Sequence, residues 1–210
     1  MAAEAIRARA RSYFESSMSP AHDWHHVQRV EALADRLLTA IDADERTVRL
    51  AVLLHDIGRA REDRGEIEDH AAWGAREARG VLADHGVAAA RIDAVCHAVA
   101  AHRYSTAPEP ATREAELLAD ADNLDALGAV GIARCFTYGG ELGEVIHDPE
   151  TPPSADDSAD GKSQYNHCYK KILRLPERMY TDAGREIAVE RAAFVETFLD
   201  RFDREVDGRA

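Results

Sequence analysis

Apolar residues recur along most of the chain at intervals of three and four, which is the spacing of a helix that buries one face. The clearest stripe consists of Val27, Val30, Leu33, Ala34, Leu37, Leu38 and Ile41. The strict apolar–polar alternation of a strand is hard to find. The pattern therefore predicts an all-α protein, with helices over residues 2–17, 23–41, 45–58, 66–85, 88–102, 113–135, 164–174 and 182–206.

Turn-forming and capping residues divide this series of helices. Asp44 is predicted to cap the N-terminus of the helix that starts at residue 45, and Gly58 suits its C-terminal end. A segment near 147–163 is rich in proline and aspartate and almost free of large apolar groups, which is typical of a mobile surface loop. Because the tail after this loop is too short for a core of its own, we predict a single domain over residues 1–210. Its core would lie at about 19–135, with C-terminal helices at about 164–207 packed on it.

The charge of the chain restricts the partners that it can have. With 39 acidic and 26 basic residues, its formal net charge is −13, which repels a nucleic-acid backbone. Apolar residues make up 45% of the chain, enough for a sizeable core, but no apolar run reaches the roughly 20 residues that span a bilayer. The first residues do not resemble a signal peptide. We therefore expect a cytoplasmic protein that binds neither nucleic-acid polymers nor membranes.

The spacing of the three cysteines argues against a role as metal ligands or disulfide partners. Cys96, Cys135 and Cys168 lie far apart and form no CxxC pair, and their odd number argues against a disulfide framework. We interpret them as small apolar core residues.

Ionisable side chains interrupt the apolar pattern at three places. His26 lies on the apolar stripe, the pair His55-Asp56 directly follows the run from Leu50 to Leu54, and carboxylates including Asp120 and Asp122 lie within an otherwise apolar helix. Burying such groups without partners costs several kcal/mol. A divalent metal would supply the partner, and mixed nitrogen and oxygen ligands suit Mn, Fe, Co, Ni or Zn better than Ca. The alternative is that ordinary hydrogen bonds at helix ends satisfy these groups.

The order of these residues resembles the H…HD…D signature of the HD-domain metal-dependent phosphohydrolase superfamily. The likeness includes HDWHHVQRV at 22–30, LLHDIG at 53–58, DADNLDALG at 120–128 and YNHCYKK at 165–171. Together these segments resemble the bacterial and archaeal predicted HD hydrolases of the YedJ and YpgQ type, over roughly residues 19–205. The chain departs from that pattern at Cys168, where an aromatic residue is usual, and at Lys170, where an acidic one is usual.

The resemblance implies a ligand set, a cofactor and a reaction. His26, His55, Asp56 and Asp122 match the metal ligands, with Asp120 as the competitor for the last position. The cofactor implied is one divalent metal ion, with Mn preferred and Mg, Fe, Co, Ni or Zn as alternatives. The reaction implied is hydrolysis of (deoxy)nucleoside triphosphates to monophosphate and pyrophosphate, so the partner is a nucleotide or another small phosphate ester. Whether the chain forms a homodimer is left open.

Further residues are candidates for contacts to the substrate. Phosphoryl transfer needs positive charge near the transferred group, which suggests Lys171, Arg59 and, beside Lys171, Asn166 as phosphate-binding residues. His70 and His102 lie where two-metal HD enzymes place extra histidines, so they could bind a second metal, contact phosphate or transfer the leaving-group proton. Glu62 and Asp63 are interpreted as a solvated turn in preference to a catalytic base.

Four other functions remain open at this stage. Within the same superfamily, the chain could be a 5′-nucleotidase or a phosphodiesterase, which release no pyrophosphate. From other classes, it could be a non-catalytic sensor of metal and nucleotide or a helical partner protein.

Overall fold

The structure, a computed structural model, describes residues 2–14, 19–103 and 107–209. The α-helices in these ranges are α1 (Ala2–Arg11), α2 (Trp24–Leu38), α3 (Glu45–Leu54), α4 (Arg59–Asp63), α5 (His70–Asp84), α6 (Ala89–Ala101), α7 (Arg113–Asp125), α8 (Gly128–Leu142), α9 (Gln164–Lys170) and α10 (Asp182–Val206). Short 3₁₀ segments cover Ser12–Phe14 and Ile172–Arg178. No strand occurs in the described ranges, which confirms the all-α prediction.

Aspartate side chains begin three of the helices that carry the ionisable groups. Asp23 accepts a hydrogen bond from the backbone N–H of His26 at 3.0 Å, and Asp44 accepts from Thr47 at 2.7 Å. Asp69 accepts from the N–H groups of Ala71 and Ala72. Each bond satisfies a donor that a helix start leaves without a partner. The caps set where α2, α3 and α5 begin, and Asp44 caps α3 as predicted.

The described chain falls into two compact units, residues 1–122 and 123–210. In the first unit, α5 lies along α6, and α3 packs against both α6 and α2. Leu37, Leu54 and Leu82 are completely buried there. In the second unit, α10 packs against α8 and against the 3₁₀ segment that follows α9. The single domain expected from the sequence stays a prediction.

The loop at 147–163 lies outside the helices, as predicted, but it is anchored at one residue. Asp156 is buried and accepts hydrogen bonds from the backbone N–H of Ser158 at 2.9 Å, from that of Lys162 at 2.8 Å and from Asn166 Nδ2 at 2.7 Å. Lys170 Nζ donates to the carbonyl oxygen of Ser158 at 2.6 Å. The loop therefore has its own polar contacts to α9, which its composition does not indicate.

Several predicted helices end earlier than expected. The helix expected over 113–135 is two helices, because Leu127 is extended and Gly128 has a φ of +70°, a conformation that stops α7 at Asp125. The helix expected over 45–58 ends at Leu54, and residues 55–58 form a turn before α4. Periodicity continues across both breaks, so it does not locate them.

Gly58 allows α5 to approach this turn closely. A Cβ atom added to Gly58 would lie 2.7 Å from the carbonyl oxygen of His70 and 3.0 Å from the Trp73 ring. We expect Gly58→Ala to lower the free energy of unfolding by about 1–3 kcal/mol, the usual cost of overpacking. Thermal or urea unfolding measures this effect. Gly80→Ala on α5, where a Cβ meets nothing within 4 Å, is the control and should stabilise slightly; equal effects of the two substitutions would contradict the prediction.

Candidate metal centre

Six ionisable side chains from different elements of the first unit converge at one place. His26 comes from α2, His55 and Asp56 from the turn after α3, His70 from the first position of α5, His102 from the residue after α6 and Asp122 from α7. The four histidines are at most 2% exposed and Asp56 is 5% exposed. The Asp122 side chain is 26% exposed, so it is the one member of the six that solvent reaches to a large extent.

One half of this cluster matches the four residues predicted as metal ligands. His26 Nε2 lies 3.2 Å from His55 Nε2, 3.5 Å from Asp56 Oδ2 and 3.3 Å from Asp122 Oδ1. His55 Nε2 lies 3.8 Å from Asp56 Oδ2 and 4.0 Å from Asp122 Oδ1. Asp122, the preferred candidate for the last ligand, thus lies beside His26 and His55, and its preference over Asp120 stays a prediction. We call these four residues the first donor set.

The other half of the cluster uses the second oxygen of the same aspartate. Asp56 Oδ1 lies 3.1 Å from His70 Nε2 and 3.6 Å from His102 Nε2, and these two nitrogens are 3.3 Å apart. We call Asp56 Oδ1, His70 and His102 the second donor set. Two groups of side chains in the described part of the chain have the spacing of metal ligands. One consists of His26, His55 and Asp56, and the other is the second donor set, so Asp56 belongs to both.

Hydrogen bonds at Nδ1 fix the ring orientation of His55, His70 and His102. His55 Nδ1 lies 2.8 Å from the carbonyl oxygen of Val52, and His102 Nδ1 lies 2.7 Å from that of Val99. His70 Nδ1 lies 2.6 Å from Glu62 Oε2. In each case the acceptor favours a proton on Nδ1 and leaves the Nε2 lone pair directed into the cluster, which is the usual arrangement of metal-binding histidine.

The electrostatics of the cluster favour the protonation states that a cation needs at His55, Asp56 and Asp122. Burial lowers the pKa of His55 to about 4, although the charges of Asp56 and Asp122 oppose the shift. Burial acts to raise the pKa of Asp56, but the charge of His55 and hydrogen bonds from His102 and His70 outweigh it and hold that pKa well below 3.8. Burial acts in the same way on Asp122, and His26 and His55 outweigh it there, so its pKa is lowered. Neutral imidazole beside ionised carboxylate is the form that binds metal.

His70 differs from His55 in its protonation. Burial acts to lower the pKa of His70, but the hydrogen bonds and charges of Asp56 and Glu62 outweigh it and raise that pKa above 6.5. A cation in the second donor set therefore competes with a proton for His70 more than a cation in the first set does for His55.

Acidification from pH 6.5 to about 4 should destabilise the metal-free protein. The pKa of His55, which Asp56, Asp122, His26 and His102 surround, is about 4 in the fold against 6.5 for an ordinary histidine. Between these values the unfolded chain binds more protons than the folded one, so the free energy of unfolding falls as the pH falls. Urea unfolding of EDTA-treated protein at pH 6.5 and at pH 5 measures this difference in the free energy of unfolding. His55→Gln should reduce the difference, and a wild-type protein equally stable at both pH values would contradict the prediction.

The donor set fits a divalent cation. Four imidazole nitrogens and the oxygens of two carboxylates face one another in a buried space, where nitrogen and oxygen ligands of this kind suit Mn, Fe, Co, Ni or Zn. The residues that would hold a cation are the first donor set, and the second donor set offers a neighbouring position.

The sequence did not indicate a partly buried group of ion pairs beside the second donor set. Glu62, interpreted there as part of a solvated turn, is 19% exposed at its side chain and bonds to His70. Arg103 Nη1 lies 3.1 Å from Glu62 Oε1, and Arg59 Nη1 lies 3.5 Å from Glu62 Oε2. Arg59, a predicted phosphate ligand, also pairs with Asp63 at 3.1 Å. The sequence feature that could have indicated these ion pairs is the position of Arg103, directly after His102.

The two other predicted phosphate ligands lie in the second unit. Asn166 is 1% exposed, and its side-chain amide donates to Asp156 and to the carbonyl oxygen of Thr151. Lys171 Nζ lies 3.3 Å from Asp160 Oδ1, and its side chain is 34% exposed. The amide of Asn166 is thus engaged in anchoring the loop, whereas the Lys171 side chain is partly accessible. Contacts of either residue to a substrate stay predictions.

The helices in the described part of the chain carry no segment long and apolar enough to cross a membrane.

Comparison with known proteins assigns the chain to a family. The HD domain model matches residues 23–127, half of the chain. The uncharacterized protein YpgQ of Bacillus subtilis is 34% identical over 210 residues, covering 98% of this chain and 94% of YpgQ. An HD-superfamily hydrolase from Bacillus thuringiensis superposes with a TM-score of 0.76 at 32% identity, over 98% of this chain and 96% of that one. A structure of Bacillus subtilis YpgQ in complex with ADP gives a TM-score of 0.76 at 30% identity, over 97% and 94%. The chain belongs to the HD-domain family and is a metal-dependent phosphohydrolase.

Proposed function

We propose that the chain hydrolyses nucleoside triphosphates, including deoxynucleoside triphosphates, to the monophosphate and pyrophosphate. The observation that carries the proposal is the shared carboxylate of Asp56, which faces four histidine Nε2 atoms beside Asp122. The ADP in the YpgQ complex supports a nucleotide as the class of substrate. Mn²⁺ is the cation that we propose, held by His26, His55, Asp56 and Asp122.

The residues around the donor sets have separable tasks in this reaction. When bound, the cation supplies Lewis-acid polarisation of a phosphoryl oxygen and a more acidic water. The partly exposed carboxylate of Asp122 marks the side from which substrate reaches the donor set. His26 and His55 are completely buried, and burial lowers the pKa of His55 to about 4, so His55 presents a neutral imidazole at neutral pH.

Arg59 and Arg103 supply positive charge next to the second donor set. Their guanidinium groups lie on either side of Glu62, and their side chains are 16% and 27% exposed. Positive charge at this place would compensate the charge of a polyphosphate chain, which an acidic protein otherwise repels. We propose Arg59 as a phosphate-binding residue; Lys171, in the second unit, stays a predicted one.

For His70 and His102 we favour cation binding among the three roles left open. Both Nε2 atoms face Asp56 Oδ1 within 3.6 Å, and both Nδ1 atoms have hydrogen-bond partners. Transfer of the leaving-group proton is the second candidate role, because the pKa of His70 is raised, which favours its protonated form.

A screen of nucleotides with separate detection of pyrophosphate and inorganic phosphate tests the proposed function. Mn²⁺-loaded protein should release one pyrophosphate per triphosphate consumed and form the nucleoside monophosphate. Release of inorganic phosphate from monophosphates would instead indicate a 5′-nucleotidase, and cleavage of bis(p-nitrophenyl) phosphate without action on triphosphates would indicate a phosphodiesterase. Binding of Mn²⁺ and nucleotide without any turnover would favour the sensor.

A further inference from the structure

Two cysteines of the second unit lie together although their spacing in the sequence argues against a disulfide. Cys135 belongs to α8 and Cys168 to α9, and these two helices pack against each other. Cys135 Sγ lies 3.1 Å from Gln164 Oε1 and 3.8 Å from the carbonyl oxygen of Gln164, the first residue of α9. Because Gln164 lies one helical turn before Cys168, both residues are on the same face of α9. The two thiols therefore meet where α8 contacts α9, and a hydrogen bond joins them.

The close approach of α8 to α9 at this place depends on Gly139. Gly139 is buried one helical turn after Cys135, on the same face of α8. A Cβ atom added to Gly139 would overlap with the Gln164 side chain, so the contact leaves no room for a larger residue. A disulfide forms only between cysteines whose Cα atoms come within about 7 Å of each other, and closely packed helices meet that requirement.

The two thiols differ in exposure and in acidity. Cys135 is half-buried, whereas Cys168 is completely buried. The hydrogen bond from Cys135 lowers the pKa of Cys168, although burial opposes the shift. The same bond and burial raise the pKa of Cys135. Cys135 is thus the thiol that a small solute reaches, and Cys168 is the one that more readily forms a thiolate, which is the form that attacks an oxidised sulfur.

We propose that Cys135 and Cys168 form a reversible disulfide that joins α8 to α9 when hydrogen peroxide oxidises the reduced chain. First, the Cys135 sulfur attacks one peroxide oxygen. An S–O bond forms, the O–O bond breaks, and the thiol proton goes to the leaving hydroxide, which gives water and a sulfenic acid. The Cys168 sulfur then attacks the Cys135 sulfur. The S–S bond forms, the S–O bond breaks, and the leaving hydroxide takes the Cys168 proton as a second water. The two thiols lose two electrons in total, and the peroxide gains them.

The disulfide would act on the helix that anchors the acidic loop. Asn166 and Lys170 of α9 hold that loop through Asp156 and Ser158, and the loop lies between the two cysteines in the sequence. A covalent bond between α8 and α9 would therefore connect the two ends of the segment that contains the loop.

Peptide mapping of the full-length protein before and after oxidation tests this proposal. The reduced protein should show all three thiols in denaturant. Protein treated with a small excess of hydrogen peroxide should retain only the thiol of Cys96 and weigh less by two hydrogen atoms. Trypsin cuts after Lys162, so it should then release peptides 135–162 and 163–170 joined to each other. Dithiothreitol should separate the two peptides and restore the three thiols.

Cys96→Ser is the matched control, because Cys96 is a buried cysteine of α6 in the first unit. It should form the joined peptides as the wild type does. Cys168→Ser should form none, and dimedone should label the sulfenic acid of Cys135 in that variant.

Three results on the wild-type protein would each overturn the proposal: three thiols that survive oxidation, sulfinic acids without joined peptides, or a disulfide between two chains. These measurements hold even if a serine variant fails to fold. They involve no nucleotide, so their outcome and that of the proposed function are independent.

Discussion

Asp56→Asn should reduce phosphohydrolase activity by roughly 10³-fold or more, since loss of even one preorganised charge-stabilising group costs about 10²–10³ in kcat. Asp56 is the residue common to both donor sets, with Oδ2 facing His26 and His55 and Oδ1 facing His70 and His102. An amide keeps the shape but replaces one oxygen with an N–H donor and removes the negative charge. Whichever way the amide turns, one donor set loses its oxygen ligand.

Metal content and hydrolysis of p-nitrophenyl phosphate, measured on the same preparations, check this expectation. Asp42→Asn is the control, because Asp42 is exposed and lies outside both donor sets. It should retain the metal content and activity of the wild type. An Asp56→Asn protein that keeps full metal and more than a tenth of the wild-type activity would show that the centre is assigned to the wrong residues.

Removal of the cation should lower the melting temperature by about 8–16 °C. A ligand at 1,000 times its Kd stabilises the folded state by about 4 kcal/mol, and each kcal/mol shifts Tm by about 2–4 °C in a chain of this size. The expected stabilisation is large because the cation compensates buried carboxylates and imidazoles that otherwise face one another. Thermal unfolding after EDTA treatment, and again after addition of excess Mn²⁺, measures the shift and its reversal.

Two histidine variants make this measurement specific. His55→Ala should abolish the response to Mn²⁺, because His55 belongs to the first donor set. His25→Ala, a change at an exposed neighbour of His26 that bonds to Gln28, should respond as the wild type does. A Tm that does not depend on Mn²⁺ in the wild type, or a full response in His55→Ala, would argue against a metal bound at this cluster.

The sequence indicates the helices and the first donor set well because both depend on local patterns. Apolar periodicity identifies the helical face that is buried, and a histidine or aspartate on that face is conspicuous by its burial cost, as His26 and His55-Asp56 are. The apolar pattern does not predict the helix ends at Leu54 and Asp125, because it continues beyond both residues. Backbone conformation at Gly128, which the pattern does not encode, ends the helix there.

The environment of Glu62 could not be predicted in the same way. Glu62 lies in a run of charged residues, RARED, that has the composition of a solvated turn. Its burial arises from the approach of α5 to this turn and from Arg103, 41 residues further along the chain. Contacts of this separation are set by tertiary packing, so neither spacing nor composition reveals them. The same holds for Asp156, whose role in the acidic loop depends on residues of α9.

The carbonyl acceptors of His55 and His102 make the orientation of these two histidines more resistant to mutation than that of His70. A backbone acceptor persists through any substitution that leaves the helix intact, so these two imidazoles stay aimed as the surrounding side chains change. His70 has no such protection at its Nδ1 atom, because its acceptor is a side chain. We therefore expect that one substitution at position 62, outside the donor atoms, is enough to release the orientation of His70, whereas that of His55 and His102 persists. The tolerance of the cluster to sequence change thus differs from one histidine to the next.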